Sequence, residues 1–173
     1  MKVLAFSTSN SKNSINKKLA CYAAQQINNA DVSLIDINDF EMPIYSEDRE
    51  KESGIPQLAH DFYNAIGSTD SIVMSFAEYN GSYTSAYKNL FDWTSRINME
   101  VFQSKPVIML STSPGASGAQ SVLAAAKNSA PYFAANVIDA ISLPNFYDNF
   151  NEVKAIVIDR AFNERLLAAI SRL

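Results

Sequence analysis

Cysteine and histidine are almost missing from this sequence: Cys21 and His60 are the only ones among 173 residues. One cysteine forms no internal disulfide, and one residue of each kind cannot furnish a zinc site or a hydrolase triad. His60 has no serine, cysteine or carboxylate partner at a telling spacing, and Cys21 lies among Ala20, Tyr22 and Ala23, where a packed small side chain is expected. Clustered positive charge is missing too. Fourteen Lys and Arg stand against eighteen Asp and Glu, a formal net charge of −4 with no basic block. A general nucleic-acid binder or an anionic-membrane binder needs grouped cations, so both are excluded. No apolar run reaches the ~20 residues of a membrane-spanning helix. Met1-Lys2-Val3 leads into a strand-like run and not a signal peptide, so a cytoplasmic protein is the expectation.

Glycine is scarce as well. The five present form neither G-x-G-x-x-G nor G-x-x-x-x-G-K-[ST]. This argues against a Rossmann dinucleotide turn and an ATPase phosphate loop. Asp36, at the distance of a ribose-binding acid, therefore reads as a strand-end residue.

What the sequence does have is regular alternation of two patterns. Apolar runs of strand length occur at Val3–Phe6, Val32–Ile35, Ile72–Phe76, Val107–Leu110 and Val137–Ile141. Segments of helical period follow each, at about Ser14–Asn28, Ile55–Ile66, Ser82–Ile97, Gln120–Phe133 and Glu152–Leu173. Five βα units predict an α/β three-layer sandwich, a five-stranded parallel sheet with helices on both faces; in the flavodoxin-like order 2-1-3-4-5, strands one and three flank the switch point. Nothing divides the chain, so residues 1–173 read as one domain.

Three loops at the carboxyl ends of strands stand out, and that edge is where open α/β sheets bind ligands. The first runs from Ser7 to Asn16, rich in hydroxyls and amides, just before a helix. Such a loop can be merely a polar turn with spare caps, or it can cradle an oxyanion. A helix N-terminus stabilises an anion by up to about 2 kcal/mol, and each bond to a charged acceptor adds about 1.5–3 kcal/mol. Lys12 adds a point charge. The central loop, Glu78-Tyr79-Asn80-Gly81-Ser82, offers an aromatic face, an amide and a bare backbone, with Ser82 placed to cap the next helix. The third, Ser111 to Gln120, strings together small and polar residues around Pro114, Gly115 and Gly118.

Together these loops resemble the NADPH-dependent FMN reductase family of the flavodoxin-like superfamily. Ser9, Ser14 and Asn16 match its first motif, G-S-x-R-x-x-S-x-N. Glu78-Tyr79-Asn80, Ser82, Lys88-Asn89 and Asp92-Trp93 match its P-E-Y-N-x-S and L-K-N-x-x-D-W. Ser113 to Ala119 matches S-x-G-x-x-G-G loosely. Thr8 stands where the motif has glycine, Ser11 where it has arginine, and Ala77 where it has proline. The resemblance implies FMN as cofactor, NADPH or NADH as donor, and a small-molecule acceptor such as a quinone or free flavin. It implies Ser9, Ser11, Lys12, Ser14, Ile15 and Asn16 at the phosphate. Glu78, Tyr79, Asn80 and Gly81 would then border the ring, with Ser113, Pro114, Gly115, Ser117 and Gly118 beyond it. No side-chain catalyst is needed, since the flavin carries the reaction. A one-electron carrier, a flavin-binding regulator and an interaction domain without cofactor are the alternatives. Four aromatic residues within Tyr83–Trp93 further suggest a homo-oligomer formed through the helix at 82–97.

Overall fold

Strict alternation along three central strands divides their side chains between two cores. Leu4 and Phe6, Ile72, Met74 and Phe76, and Val107 and Met109 enter one core of 22 buried residues. Val3 and Ala5, Val73, and Ile108 and Leu110 enter the other, of 18. A strand apolar on both faces requires cover on both, which is why these runs are continuous and not alternating. The computed structural model describes all 173 residues. Its elements are β1 (Lys2–Ser7), α1 (Ile15–Gln25), β2 (Asp31–Leu34), α2 (Glu47–Ser53), α3 (Gln57–Gly67), β3 (Ser71–Phe76), β4 (Glu78–Tyr79) and β5 (Ser82–Tyr83). They continue with α4 (Ser85–Ile97), β6 (Pro106–Thr112), α5 (Gln120–Ser129), β7 (Asn136–Leu143), α6 (Phe146–Asn149), β8 (Phe150–Asn151), β9 (Ile156–Val157) and α7 (Arg160–Ile170). The main sheet is parallel, as the βα repetition predicts, and its order β2-β1-β3-β6-β7 is the flavodoxin-like 2-1-3-4-5. Helices α1 and α7 cover one face, and α3, α4 and α5 cover the other.

The edges depart from the expected pattern. All four residues of β2 are exposed, because this short strand has only one neighbour and little helix above it. At the opposite edge, Asp139 of β7 takes a two-pronged contact from Arg165 of α7, at 2.6 and 2.8 Å. The guanidinium holds the Asp139 carboxyl below its ordinary value. That contribution is therefore complete at neutral pH and disappears as acid protonates the group.

The helix after the central loop and the last helix begin later than predicted. The helix after the central loop begins at Ser85 and is capped by Thr84, whose hydroxyl accepts from Tyr87 N–H, so Ser82 is no cap. Ser82 instead belongs to a two-residue hairpin whose tip, Asn80-Gly81, has φ of +52° and +75°. Both signs suit a type I′ turn, which Asn-Gly favours. The last helix begins at Arg160, not Glu152, because residues 150–157 form a second small hairpin and Asp159 caps α7 through Phe162 N–H. The long segment from Asp36 to Pro56 is partly ordered as a 3₁₀ turn at Ile37–Phe40 and as α2. It is pinned to its own protomer, since Asn89 bonds Tyr45 N–H and the Met42 carbonyl, and Trp93 donates to the Pro43 carbonyl at 2.7 Å.

Candidate functional site

Along the carboxyl edge of the sheet, side chains join the strands in a continuous rim. Thr8, just after β1, accepts from Ala77 N–H, just after β3, at 3.0 Å, and its carbonyl takes the Thr84 hydroxyl. Asn16, in the first turn of α1, accepts from Ser75 Oγ at 2.7 Å and from Thr112 N–H at 3.1 Å, and donates to the Thr112 carbonyl at 3.1 Å. Thr112 then donates to the Leu143 carbonyl at 2.6 Å, reaching β7. Four strands and the start of α1 are thereby held at fixed spacing. All the side chains in this rim are buried.

Above the rim lies the β1–α1 loop. Ser9 and Ser14 are buried, and each hydroxyl accepts one backbone N–H: Ser11 N–H at 3.1 Å and Lys17 N–H at 3.2 Å. Neither hydroxyl proton has an acceptor within the protein, so both are left to donate. The N–H groups of Ile15 and Asn16 open α1 and have no partner within the helix. Four donors therefore lie on one short stretch, with the helix N-terminus behind them. Lys12 and Ser11 are exposed beside them. Lys17 is held by Asp36 at 2.6 Å and Lys18 by Glu152, which leaves Lys12 as the unpaired cation of the stretch. An anion with several oxygens, such as the phosphate of FMN, fits this donor set, whose only fixed charges are positive.

The other two loops bring only some of the expected residues to the crevice. Tyr79 is 48% exposed at the hairpin, with the Asn80-Gly81 tip open beyond it. Pro114, Gly115 and Ser117 are exposed, and Ser113 is partly so, its hydroxyl turned to the Gly115 carbonyl at 3.1 Å. Two assignments need correction, Asn16 and Gly118, while Glu78, expected at the ring through its backbone, spends its carboxylate elsewhere. The Asn16 side chain is fully used in the rim, so only its backbone N–H can face an anion. The Glu78 carboxylate accepts from Val122 N–H at 2.8 Å, capping α5, whose own preceding residue Ala119 supplies no side-chain cap. Gly118 is buried, and its carbonyl takes the hydroxyls of Ser111 and Ser142 at 2.7 and 2.8 Å. It anchors the loop from beneath and does not line it. Thr8, Ser75, Thr84 and Thr112 were missed as rim residues, because their partners lie far away in sequence.

A parallel sheet of this order, with an anion-fitting loop at its switch point, defines a flavodoxin-like fold. Solved structures agree: FerB, a flavoenzyme NAD(P)H:(acceptor) oxidoreductase from Paracoccus denitrificans, superposes with a TM-score of 0.73 at 23% identity, covering 99% of this chain and 93% of that one. An uncharacterized protein of Mycoplasma pneumoniae is 28% identical over 155 residues, 87% of this chain and 91% of that one. NADH-dependent flavin reductase subunit 2 of Lactobacillus johnsonii is 28% identical over 123 residues, 69% of this chain and 64% of that one. A quinone reductase of Escherichia coli K12 is 33% identical over 78 residues, so the match spans less than half of either protein, 45% and 42%. Residues 1–148 match the NADPH-dependent FMN reductase family, and the chain belongs to it. Its cofactor is accordingly FMN, its electron donor NAD(P)H, and its class oxidoreductase.

Proposed function

We propose that the β1–α1 loop holds the FMN phosphate through Ser9, Ser14 and the N–H groups of Ile15 and Asn16, and that the acceptor is a quinone or a free flavin. The donors left unused on that loop carry this reading. Held there, FMN would supply the redox chemistry, hydride acceptance from NAD(P)H and delivery of reducing equivalents to the acceptor. The chain's part is to orient the ring and limit its contact with water. Tyr79 and the backbone of Asn80 and Gly81 form one side, while Ser113, Pro114, Gly115 and Ser117 form the other. Glu78 sets the gap between the two by tying the hairpin to α5. Ser11 stands at the position of the motif arginine with Lys12 beside it, giving a hydroxyl and a charge in place of its fork. The names of the quinone reductase and flavin reductase relatives support the choice of acceptors.

The purified protein titrated with FMN should show a flavin spectrum that NAD(P)H bleaches and a quinone restores. A bound flavin that NAD(P)H leaves oxidised would favour an electron carrier or regulator instead. Replacing both Ser9 and Ser14 by Ala should weaken FMN binding by about 100-fold, because two bonds to a charged acceptor are lost. An FMN dissociation constant within about threefold of the parent would remove these serines from the phosphate site.

Membership of an NAD(P)H-using family and a lone, unpaired Cys21 support a cytoplasmic setting. No helix is long and apolar enough to cross a membrane. A homo-oligomer through α4 has weaker support than its aromatic content suggested. Tyr83, Tyr87, Phe91 and Trp93 all turn into the protomer, and no residue of α4 is an exposed large hydrophobic. An interface there must rest on the polar stripe of Lys88, Asp92 and Arg96 and on Met99 just beyond, so a dimer sensitive to salt is expected. Light scattering at low and high ionic strength checks this, and a monomer at both discards the assembly.

A further inference from the structure

Of the residues that carry the family's second motif, Asn89 and Trp93 lie in none of the three loops, and they share one task. Both hold Met42–Tyr45, an irregular segment on the outside of α4. The Asn89 amide donates to the Met42 carbonyl at 3.0 Å and the Pro43 carbonyl at 3.2 Å, and accepts from Tyr45 N–H at 2.8 Å. The Trp93 indole donates to the Pro43 carbonyl at 2.7 Å, and the Ile44 carbonyl takes the Arg49 guanidinium. The Tyr45 ring stands edge-on to Trp93 with centroids 5.0 Å apart, and its hydroxyl donates to Glu50 at 3.0 Å. Four consecutive residues thus each have a backbone group held by a side chain. Water would satisfy the same groups on an open segment, so what these bonds add is a fixed position.

Ile44 is the side chain that this position displays. Its backbone and both neighbours are tied down, yet the residue is 76% exposed. A lone aliphatic residue on a surface is ordinary, so its location has to decide. Ile44 stands between two depressions, of about 370 and 250 Å³, which also share Ser85 and Asn89. The larger reaches Ser82 and Tyr83 of the hairpin, and the smaller reaches Asn10 of the β1–α1 loop. Both loops border the flavin crevice, which puts Ile44 at its edge. No other residue lining either depression is an exposed large hydrophobic. Binding residues held on a loop by a rigid helix are a common device for recognition.

We propose that Ile44 is the specificity-determining contact for the electron acceptor, packing its aliphatic side chain on a quinone ring, and that Asn89 and Trp93 are positioning residues acting through it. The proposal rests on the reading that the acceptor is a quinone. A side chain on a backbone already held in place needs little further ordering when the ring arrives. An aliphatic contact also favours an apolar ring over a hydrated ion, which gains nothing from it.

The test compares 2-methyl-1,4-naphthoquinone with ferricyanide, a hydrated anionic acceptor, on FMN-loaded protein. Ile44→Ser should lower the ratio of their kcat/KM values about tenfold, through the KM of the quinone, with its kcat within about twofold of the parent. Removing so exposed a side chain leaves the fold intact. Asn89→Ala should raise the same KM about fivefold, and adding it to Ile44→Ser should raise KM no further, because both act on one contact. If Asn89 served the fold alone, its effect would add in the double variant, and its positioning role would be overturned. In oxidised protein without donor, the Ile44 methyl signals, assigned by their loss in Ile44→Ser, should shift when the quinone is added. A parent that reduces the quinone beside an Ile44→Ser variant with the same ratio would overturn the proposal and leave the acceptor reading standing. A parent that reduces ferricyanide but not the quinone would sink the acceptor reading, and this proposal with it. Conversion of a dimer to a monomer by Ile44→Ser, seen by light scattering, would assign Ile44 to a subunit interface and overturn the contact.

Discussion

Asn16→Ala is expected to lower the melting temperature by roughly 10 °C and to weaken FMN by more than about tenfold. The change removes one buried amide but strands three buried groups: the Ser75 hydroxyl and both the N–H and the carbonyl of Thr112. Each unsatisfied group costs about 1–3 kcal/mol, less where a neighbour can turn to meet it, so a total of about 3–4 kcal/mol is reasonable. In a chain of this size each kcal/mol shifts the melting point by about 2–4 °C. The effect on FMN follows from position. Asn16 joins the first turn of α1 to β3 and β6, and that turn carries the N–H donors beside Ser14. Without the brace, the helix end loses its fixed distance from the hairpin and from the Ser113–Ser117 loop.

Asn16→Asp makes the claim sharper. It retains an acceptor for Ser75 and Thr112 N–H but sets a second oxygen against the Thr112 carbonyl, where the amide now donates at 3.1 Å. A buried carboxylate facing a carbonyl is unfavourable, so Asp should be no better than Ala despite being nearly isosteric. Thermal unfolding followed by circular dichroism, with and without FMN, separates the two consequences. A melting point within about 2 °C of the parent for Asn16→Ala would mean that the three groups find other partners and that the rim is not a brace. A large stability loss with unchanged FMN affinity would confine the brace to the fold.

Asn16 also shows where reading the sequence ran out. The resemblance puts Asn16 at the phosphate, whereas its side chain is used up in the rim. Its partners lie 59 and 96 residues away, at distances no local pattern encodes. The central strands are legible because continuous apolar runs force burial on both faces, and βα repetition makes the sheet parallel; the order 2-1-3-4-5 comes from the flavodoxin-like resemblance. Residues 78–83 read as a loop in the sequence, because the two-residue strands on either side of the Asn-Gly turn are too short to show alternation. Helical period from Glu152 onward predicts the start of α7 eight residues early, because period alone marks no start and the cap is Asp159. The sequence shows an excess of rings around α4 but not the small residues of α5, Ala125 and Ala126, that lie opposite them.

Gly118 gives the second large effect, and its two companions make the cause separable. Replacing Gly118 by Ala should cost about 3 kcal/mol, combining a strained backbone with a backbone clash. At φ +57° a Cβ is unfavourable by itself, at about 1 kcal/mol. The added atom would also lie 2.1 Å from Ser142 Oγ, which can rotate away only by giving up its bond to the Gly118 carbonyl. It would further meet Pro144 N at 3.0 Å and Cα at 3.1 Å, and those are backbone atoms that cannot turn aside. The start of α5 must move off the end of β7, taking Val122 N–H away from Glu78 and widening the crevice. Gly81, at φ +75° with nothing within 4 Å, carries the strain without the clash, so Gly81→Ala should cost about 1 kcal/mol. Gly115 has neither positive φ nor a neighbour within 4 Å, and Gly115→Ala should fall within about 0.5 kcal/mol of the parent. Urea midpoints of the three variants should therefore rank Gly115, Gly81, Gly118 in increasing loss. If Gly118→Ala is no worse than Gly81→Ala, backbone strain alone explains both, and the close approach of α5 to the end of β7 does not hold the third loop in place.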